Sequence, residues 1–405
     1  MRGALSDVCE FIVDCEHKTA PLTAEGAPSI RTPNVGRGRL LLDSVNRVST
    51  KTYAAWTKRA RPQANDIIIA REAPVGNAAI IREGQVVCLG QRTVLARPNP
   101  RLIDPDYLVY FLLAEYCQSR FRAVSQGATV AHLNMKDIRE LALPDLPSLA
   151  AQRQIGSLLA AYDDLIEANQ RRIAILEEIA RRLFEEWFVR FRYPGHDSET
   201  LVETDLGSTP EGWKRTVAGE LIEFDPRTRV EKEGVKTFVP MGSLSTTSIA
   251  ISEWETRSGN SGSKFQNGDT LLARITPCLE NGKTGYVDFL GANETAFGST
   301  EYIVMRGRSV PATFVQLLAR SERFRAAAIG SMGGSDGRQR ARAEALEKFE
   351  IAAPPKPLID QFDRVAAPMF AAVRCLTDQN ARLRAARDLL LPKLISGEID
   401  VGAIA

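Results

Sequence analysis

Cysteine is scarce and scattered. Cys9, Cys15, Cys88, Cys117, Cys278 and Cys375 are the only six in 405 residues, and none forms a C-x-x-C pair. That excludes a disulfide framework or a cysteine zinc site as the organising device and predicts reduced thiols in a cytosol. Histidine is rarer still: His17, His132 and His196 are too far apart to build a metal site by spacing. No Ser/His/Asp order marks a nucleophile. No apolar run approaches ~20 residues and no charged-then-apolar leader opens the chain, so a soluble, cytoplasmic protein is expected. Charge of one sign is also lacking. The net charge is only +2, so any affinity for nucleic acid must come from local patches. A hydrophobic content of 44% and a charged content of 25% are ordinary for a globular protein, and the length leaves room for two or three domains.

Three near-motifs fail on inspection. Gly282-Lys283-Thr284 ends like a phosphate-binding loop, but Pro277 stands where its first glycine should be. Asp104-Pro105-Asp106-Tyr107 resembles the (Asn/Asp)-Pro-Pro-(Tyr/Phe) loop of amino-methyltransferases with Asp106 in place of the second proline. A helix N-cap suits it better. Asp7, Glu16 and Lys18 fit a loose nuclease pattern that is short enough to arise by chance. The chain reads as catalytically empty.

What is present is a long periodic stretch. From Ser148 to Phe191, alternating steps of four and three give Ile155, Leu159, Tyr162, Ile166, Asn169, Ile173, Leu176, Ala180, Leu183 and Trp187. This is an a/d seam with one polar insertion. The intervening positions are charged with both signs, so the seam needs a partner helix. A shift of about 210 residues supplies one, carrying Ile155, Leu159, Ile166, Ile173 and Ala180 onto Val365, Met369, Leu376, Leu383 and Leu390, and Asn169 onto Gln379. Pro368 should kink the second helix or mark its start, and Pro392 should end or bend it.

The duplication extends beyond the helices. Gly268 to Pro277 answers Asp66 to Pro74, Phe297 to Gly307 answers the Gly90-Gln91-Arg92 strand, and Phe314 to Ala326 answers Leu108 to Ala123. A repeat at fixed period predicts two copies of one supersecondary unit. The expected class is α+β: two similar α/β domains separated by two long antiparallel helices that form a coiled coil, with pseudo-twofold internal repetition. The boundaries follow as a first domain over 1–147, a central helix over 148–192, a linker over 193–213, a second domain over 214–355 and a C-terminal helix over 356–399.

The remaining polar signal is cationic and occurs twice. Arg31, Arg37, Arg39, Arg47, Lys51, Lys58, Arg59 and Arg61 crowd the first domain. Arg227, Arg229, Lys232, Arg320, Arg323, Arg325, Arg338, Arg340 and Arg342 crowd the second. Loops carrying Lys18, Arg71, Asn77, Gln91, Arg92 and Gln126, and Arg274, Asn281, Lys283, Ser299, Arg338 and Arg340, offer donors and acceptors suited to phosphates and base edges. These twelve form the candidate DNA-binding set. The candidate seam is Ile155, Leu159, Tyr162, Ile166, Ile173, Leu176 and Leu183 against Val365, Met369, Leu376, Leu383 and Leu390.

In order, these pieces resemble the specificity (S) subunit of type I restriction–modification systems. The resemblance rests on Asp14…His17-Lys18-Thr19…Pro21, on Asp66…Arg71…Pro74…Gly76 and its copy Asp269…Arg274…Pro277…Gly282, on Pro147…Gln152…Ile155, and on Leu389 to Ile399. It implies a non-catalytic subunit whose two target-recognition domains each read half of a bipartite site on double-stranded DNA. Two modification (M) subunits would dock on the helices and methylate adenine with S-adenosylmethionine. Restriction (R) subunits would add ATP- and Mg-dependent translocation and cleavage. No cofactor would sit on this chain. The alternative is the recognition module of another phage-defence complex without a restriction subunit.

Overall fold

A computed structural model describes residues 3–43, 45–125, 131–204, 207–333 and 339–400. The chain divides into two units: residues 1–167 with 382–405, and residues 168–381. Both divisions fall inside a long helix, one over Leu149–Phe184 and the other over Lys356–Ser396.

In the first unit the apolar run Ile67–Ala70 becomes a fully buried strand at the centre of a five-stranded sheet. It pairs antiparallel with Thr93–Pro98 on one side and Ala78–Ile80 on the other. Cys9–Asp14 and Gly38–Arg39 close the edges. Two helices, Pro105–Leu113 and Glu115–Ser125, bury Tyr107, Tyr110, Phe111 and Phe121 in this core. The first begins where the Asp104 carboxylate accepts the Tyr107 amide at 2.9 Å, the N-cap geometry expected of a short acceptor side chain. A smaller sheet of Arg47–Val48, Ala27–Ile30 and Cys88–Leu89 completes the unit.

The second unit repeats the plan. Thr270–Ala273 lies between Tyr302–Gly307 and Thr284–Tyr286, with Ile222–Phe224 outermost, and Ala312–Arg320 and Glu322–Gly330 supply the helices. The repetition reaches single bonds. Asp66, 1% exposed, accepts the Arg97 guanidinium at 2.7 Å and caps the Gln63 amide at 3.0 Å. Asp269, wholly buried, accepts Arg306 at 2.6 Å and caps the Gln266 amide at 2.8 Å. A buried carboxylate needs both a charge partner and extra donors to repay its desolvation, and the two units meet that need identically. Ala73-Pro74 and Thr276-Pro277 are cis in the matching turns. The sheet of Glu255–Ser258, Val235–Val239 and Thr295–Gly298 repeats the smaller sheet of the first unit, antiparallel on one side and parallel on the other, and Ser263–Gln266 is added to it as a fourth strand.

The region expected to be a linker, 193–213, contains a hairpin, Leu201–Thr204 paired with Gly207–Pro210. The fold is thus mixed helix and strand with an internal two-domain repeat.

On the first long helix Ile155, Leu159 and Ile166 are buried, and Tyr162, Ile173, Leu176 and Leu183 are half-buried. On the second, Val365 is 42% exposed, while Met369, Leu376, Leu383 and Leu390 are half-buried. Its buried line runs instead through Phe362, Ala366, Phe370, Val373, Thr377, Asn380, Leu391 and Leu394. The reason is the period of the repeat. Pro105 and Ala312, Glu115 and Glu322, and Leu149 and Lys356 open equivalent helices, each pair 207 apart. A three-residue error leaves a helical position about 60° from its true face. The apolar pattern still matched loosely, but Val365 was carried outward.

Asn169 and Gln379 are therefore not repeat equivalents but contacts: the Asn169 amide donates to Gln379 and Asn380, each at 3.0 Å. Further along the second unit Trp187 meets Phe362, ring centroids 5.9 Å apart. Partners thus fall on one helix as they rise on the other, which is antiparallel pairing. Neither Pro368 nor Pro392 ends the second helix. Both are exposed, and buried neighbours on either side hold the backbone helical despite the lost amide bond.

Candidate nucleic-acid interface

The strand-turn-strand of each unit presents an arginine at the same place, and structure gives both a framework role. Arg71, its side chain 9% exposed, donates from Nε to the Leu133 carbonyl and from Nη1 to the Asp14 carboxylate, both at 2.7 Å. Its Nη2 donates to His132 Nε2 at 2.7 Å, so Nδ1 carries the imidazole proton and donates to Glu72 at 2.8 Å. Arg274 repeats the first of these bonds, Nε to the Ala341 carbonyl at 3.2 Å. The Arg71 guanidinium, with its fork filled, has little left for a phosphate, whereas Arg274 is tethered through Nε.

The other candidates separate by what they touch. Asn77 donates to the Val35 carbonyl at 3.0 Å and Lys283 to the Met241 carbonyl at 3.1 Å. Ser299 accepts the Glu301 amide at 3.2 Å. Gln91 is half-buried. Arg340, 43% exposed, is held by both oxygens of Glu301, whose carboxylate raises the guanidinium further into its charged form. Lys18 and Asn281 are exposed. Arg92 is 63% exposed while pairing with Glu72 at 2.7 Å, and it sits at φ +65°, a conformation uncommon outside glycine and enriched at functional positions. Gln126 and Arg338 lie outside the described residues.

Two members of the cationic clusters have other duties. Arg39 is 7% exposed, bonded to Asp164 at 2.6 Å and to the Ala160 carbonyl at 3.2 Å. Arg320 donates to the Ser248 carbonyl at 2.9 Å and the Thr246 carbonyl at 3.2 Å. Burial lowers its pKa, partly opposed by Glu177.

What sequence reading missed is Lys264. It lines a 530 Å³ cavity in the second unit with Asp225, Arg227, Arg274 and Tyr302, and also an adjoining 500 Å³ hollow with Arg229, Lys232 and Asn260. Lys264 is common to both hollows, so cations that the sequence spreads from 227 to 274 gather around it, beside the acids Asp225, Glu231 and Glu233. Strand alternation could have hinted at it, because Lys264 stands beside the buried Phe265. Such a surface focuses negative charge and offers side chains able to bond phosphate oxygens. Among the described residues, the one His/Cys/Asp group close enough for a metal is Asp14, Cys15 and His17, and Asp14 is already held by Arg71. No helix of the described residues is long and apolar enough to cross a membrane.

Comparison with known proteins bears on this geometry. Residues 2–178 match the family described as the type I restriction modification DNA specificity domain. The MjaIX type I restriction enzyme specificity subunit of Methanocaldococcus jannaschii is 25% identical over 347 residues, 83% of this chain and 78% of that one. The HindI specificity subunit of Haemophilus influenzae is 23% identical over 373 residues, 76% of this chain and 80% of its own. The crystal structure of the type I restriction-modification S subunit from M. genitalium covers 98% of this chain and 96% of that one, with a TM-score of 0.60 at 14% identity, which speaks to fold alone. In sequence over most of its length, and in fold over nearly all of it, this chain is similar to the specificity subunits of type I restriction–modification systems.

Proposed function

We propose that the chain reads DNA sequence for a type I restriction–modification complex, each unit recognising one half of a bipartite double-stranded target. The observation that carries this is the duplicated unit, repeated down to its buried Asp–Arg pair and its turn arginine. A repeated reader suits a split site, because contacts to base edges specify while contacts to phosphates position. The cationic concavity around Lys264 and the exposed Lys18, Arg92 and Asn281 are its contact groups. The long helices hold the readers and take two modification subunits, and S-adenosylmethionine is bound there rather than on this chain. Restriction subunits, with ATP and Mg, complete the assembly where the system encodes them. Methylating an adenine requires its extrusion from the stack, so the flanking duplex must be gripped on both sides.

The test is single-molecule sequencing of methylated genomic DNA from a host expressing this chain with its methyltransferase partner. A two-part methylated motif is expected, with only one part changing when residues of one unit are replaced. A continuous motif, or co-purification with no methyltransferase, would defeat the reading.

A further inference from the structure

The repeat is broken at a buried charged pair, and the break concerns which helix pairs with which. In the first unit Asp163, its side chain 4% exposed, accepts the Tyr110 hydroxyl at 2.6 Å and bonds Arg387 through its other oxygen. Arg387, 12% exposed, also holds Asp388 at 2.9 Å. Gly38, at φ +94°, lies so close that a Cβ there would come within 2.6 Å of the Asp163 carboxylate. The repeat equivalents of Asp163 and Arg387, 207 residues away by the helix starts, are Phe370 and Ala180. Both are buried in the apolar core of the second unit, 3% and 1% exposed. One unit thus has a charged pair where the other has a phenyl ring and a methyl group.

We propose that Asp163 and Arg387 form a pairing code that makes the two long helices of one chain choose each other over the like helices of a second copy. Because the helices are repeats, two copies of the first could pair in the same antiparallel register, as could two copies of the second. In the first arrangement Asp163 faces Ala180 of the other copy, and in the second Arg387 faces Phe370. Either way a buried charge loses its partner, which is strongly destabilising even where the pair itself is close to neutral. Tyr110, and Arg39 at 4.0 Å, stay with Asp163 in any pairing, so the penalty falls chiefly on Arg387.

The buried amides reinforce the code. Asn169 finds Gln379 and Asn380 on the second helix. In the like-with-like pairings it faces Ile173 beside Arg172, and Asn380 faces Leu376. Polar residues at seam positions are known to fix partner and register in this way.

The experiment mixes two differently tagged full-length chains in denaturant, refolds them together, and counts mixed-tag dimers by native mass spectrometry, with helix content followed by circular dichroism. Wild type should give monomers only. Asp163→Phe with Arg387→Ala makes both helices alike at this position and should yield mixed-tag dimers. Asp163→Asn with Arg387→Ala keeps an acceptor for the Tyr110 hydroxyl in case the ring is not accommodated, and should do the same. The proposal is overturned if wild type exchanges tags, or if both variants regain wild-type helicity and remain unmixed. Failure of the conservative variant to refold also overturns it, since the pair would then serve folding rather than partner choice.

Discussion

Burial lifts the Asp288 carboxyl to about 6, and the Arg374 guanidinium 3.3 Å away pulls it only part of the way back. The folded pKa therefore lies above the unfolded value, so the native state holds the extra proton between about pH 4 and pH 6. The stability this group contributes is present at the acid end and is lost as pH rises through the folded pKa. Asp288→Asn should raise Tm near pH 7 and leave it close to wild type near pH 4, read from thermal melts at both values. A lower Tm at both would mean that the Arg374 pair outweighs desolvation. The arginines divide in the same physical terms. Arg71→Ala strands Asp14 and should cost about 3 kcal/mol in urea melts. Lys264→Ala should stay within about 0.5 kcal/mol of wild type yet weaken DNA binding by the partner-loaded complex, and equal affinity for the two would remove Lys264 from the interface.

At the level of the helices, the buried line of the second helix makes its own forecast. Phe370→Ala empties a core position packed against Tyr286, ring centroids 5.1 Å apart, and should cost about 3–5 kcal/mol. Val365→Ala should cost less than about 0.5 kcal/mol by chemical denaturation. The reverse order would restore the phase read from the sequence. That phase shows where sequence reading stops. The first seam was legible because Ile155, Leu159 and Ile166 repeat at helical spacing on a single face. The second was not, because a shift of three residues keeps an apolar pattern recognisable while turning the face. The candidate interface was legible as composition, in clusters of arginine and lysine, but not as exposure. Arg39 and Lys18 look alike in a sequence. Only the fold brings the Ala160 carbonyl and Asp164 to Arg39 from more than a hundred residues away.

Taken as one molecule, the proposed function makes helix length a property of the DNA target. Inserting one heptad at facing places in both long helices preserves the seam and adds about 10 Å. The spacing between half-sites should then increase by about three base pairs, since a helical turn of DNA spans about 34 Å. A methylome with unchanged spacing would show that the helices do not set it.

The first unit draws Arg387, Leu391 and Leu394 from the far end of the chain. On a translating ribosome the first unit is therefore completed only after the second, because residues that close it are made after the whole of 168–381. A premature stop at codon 382 would spare the second unit and cripple the first.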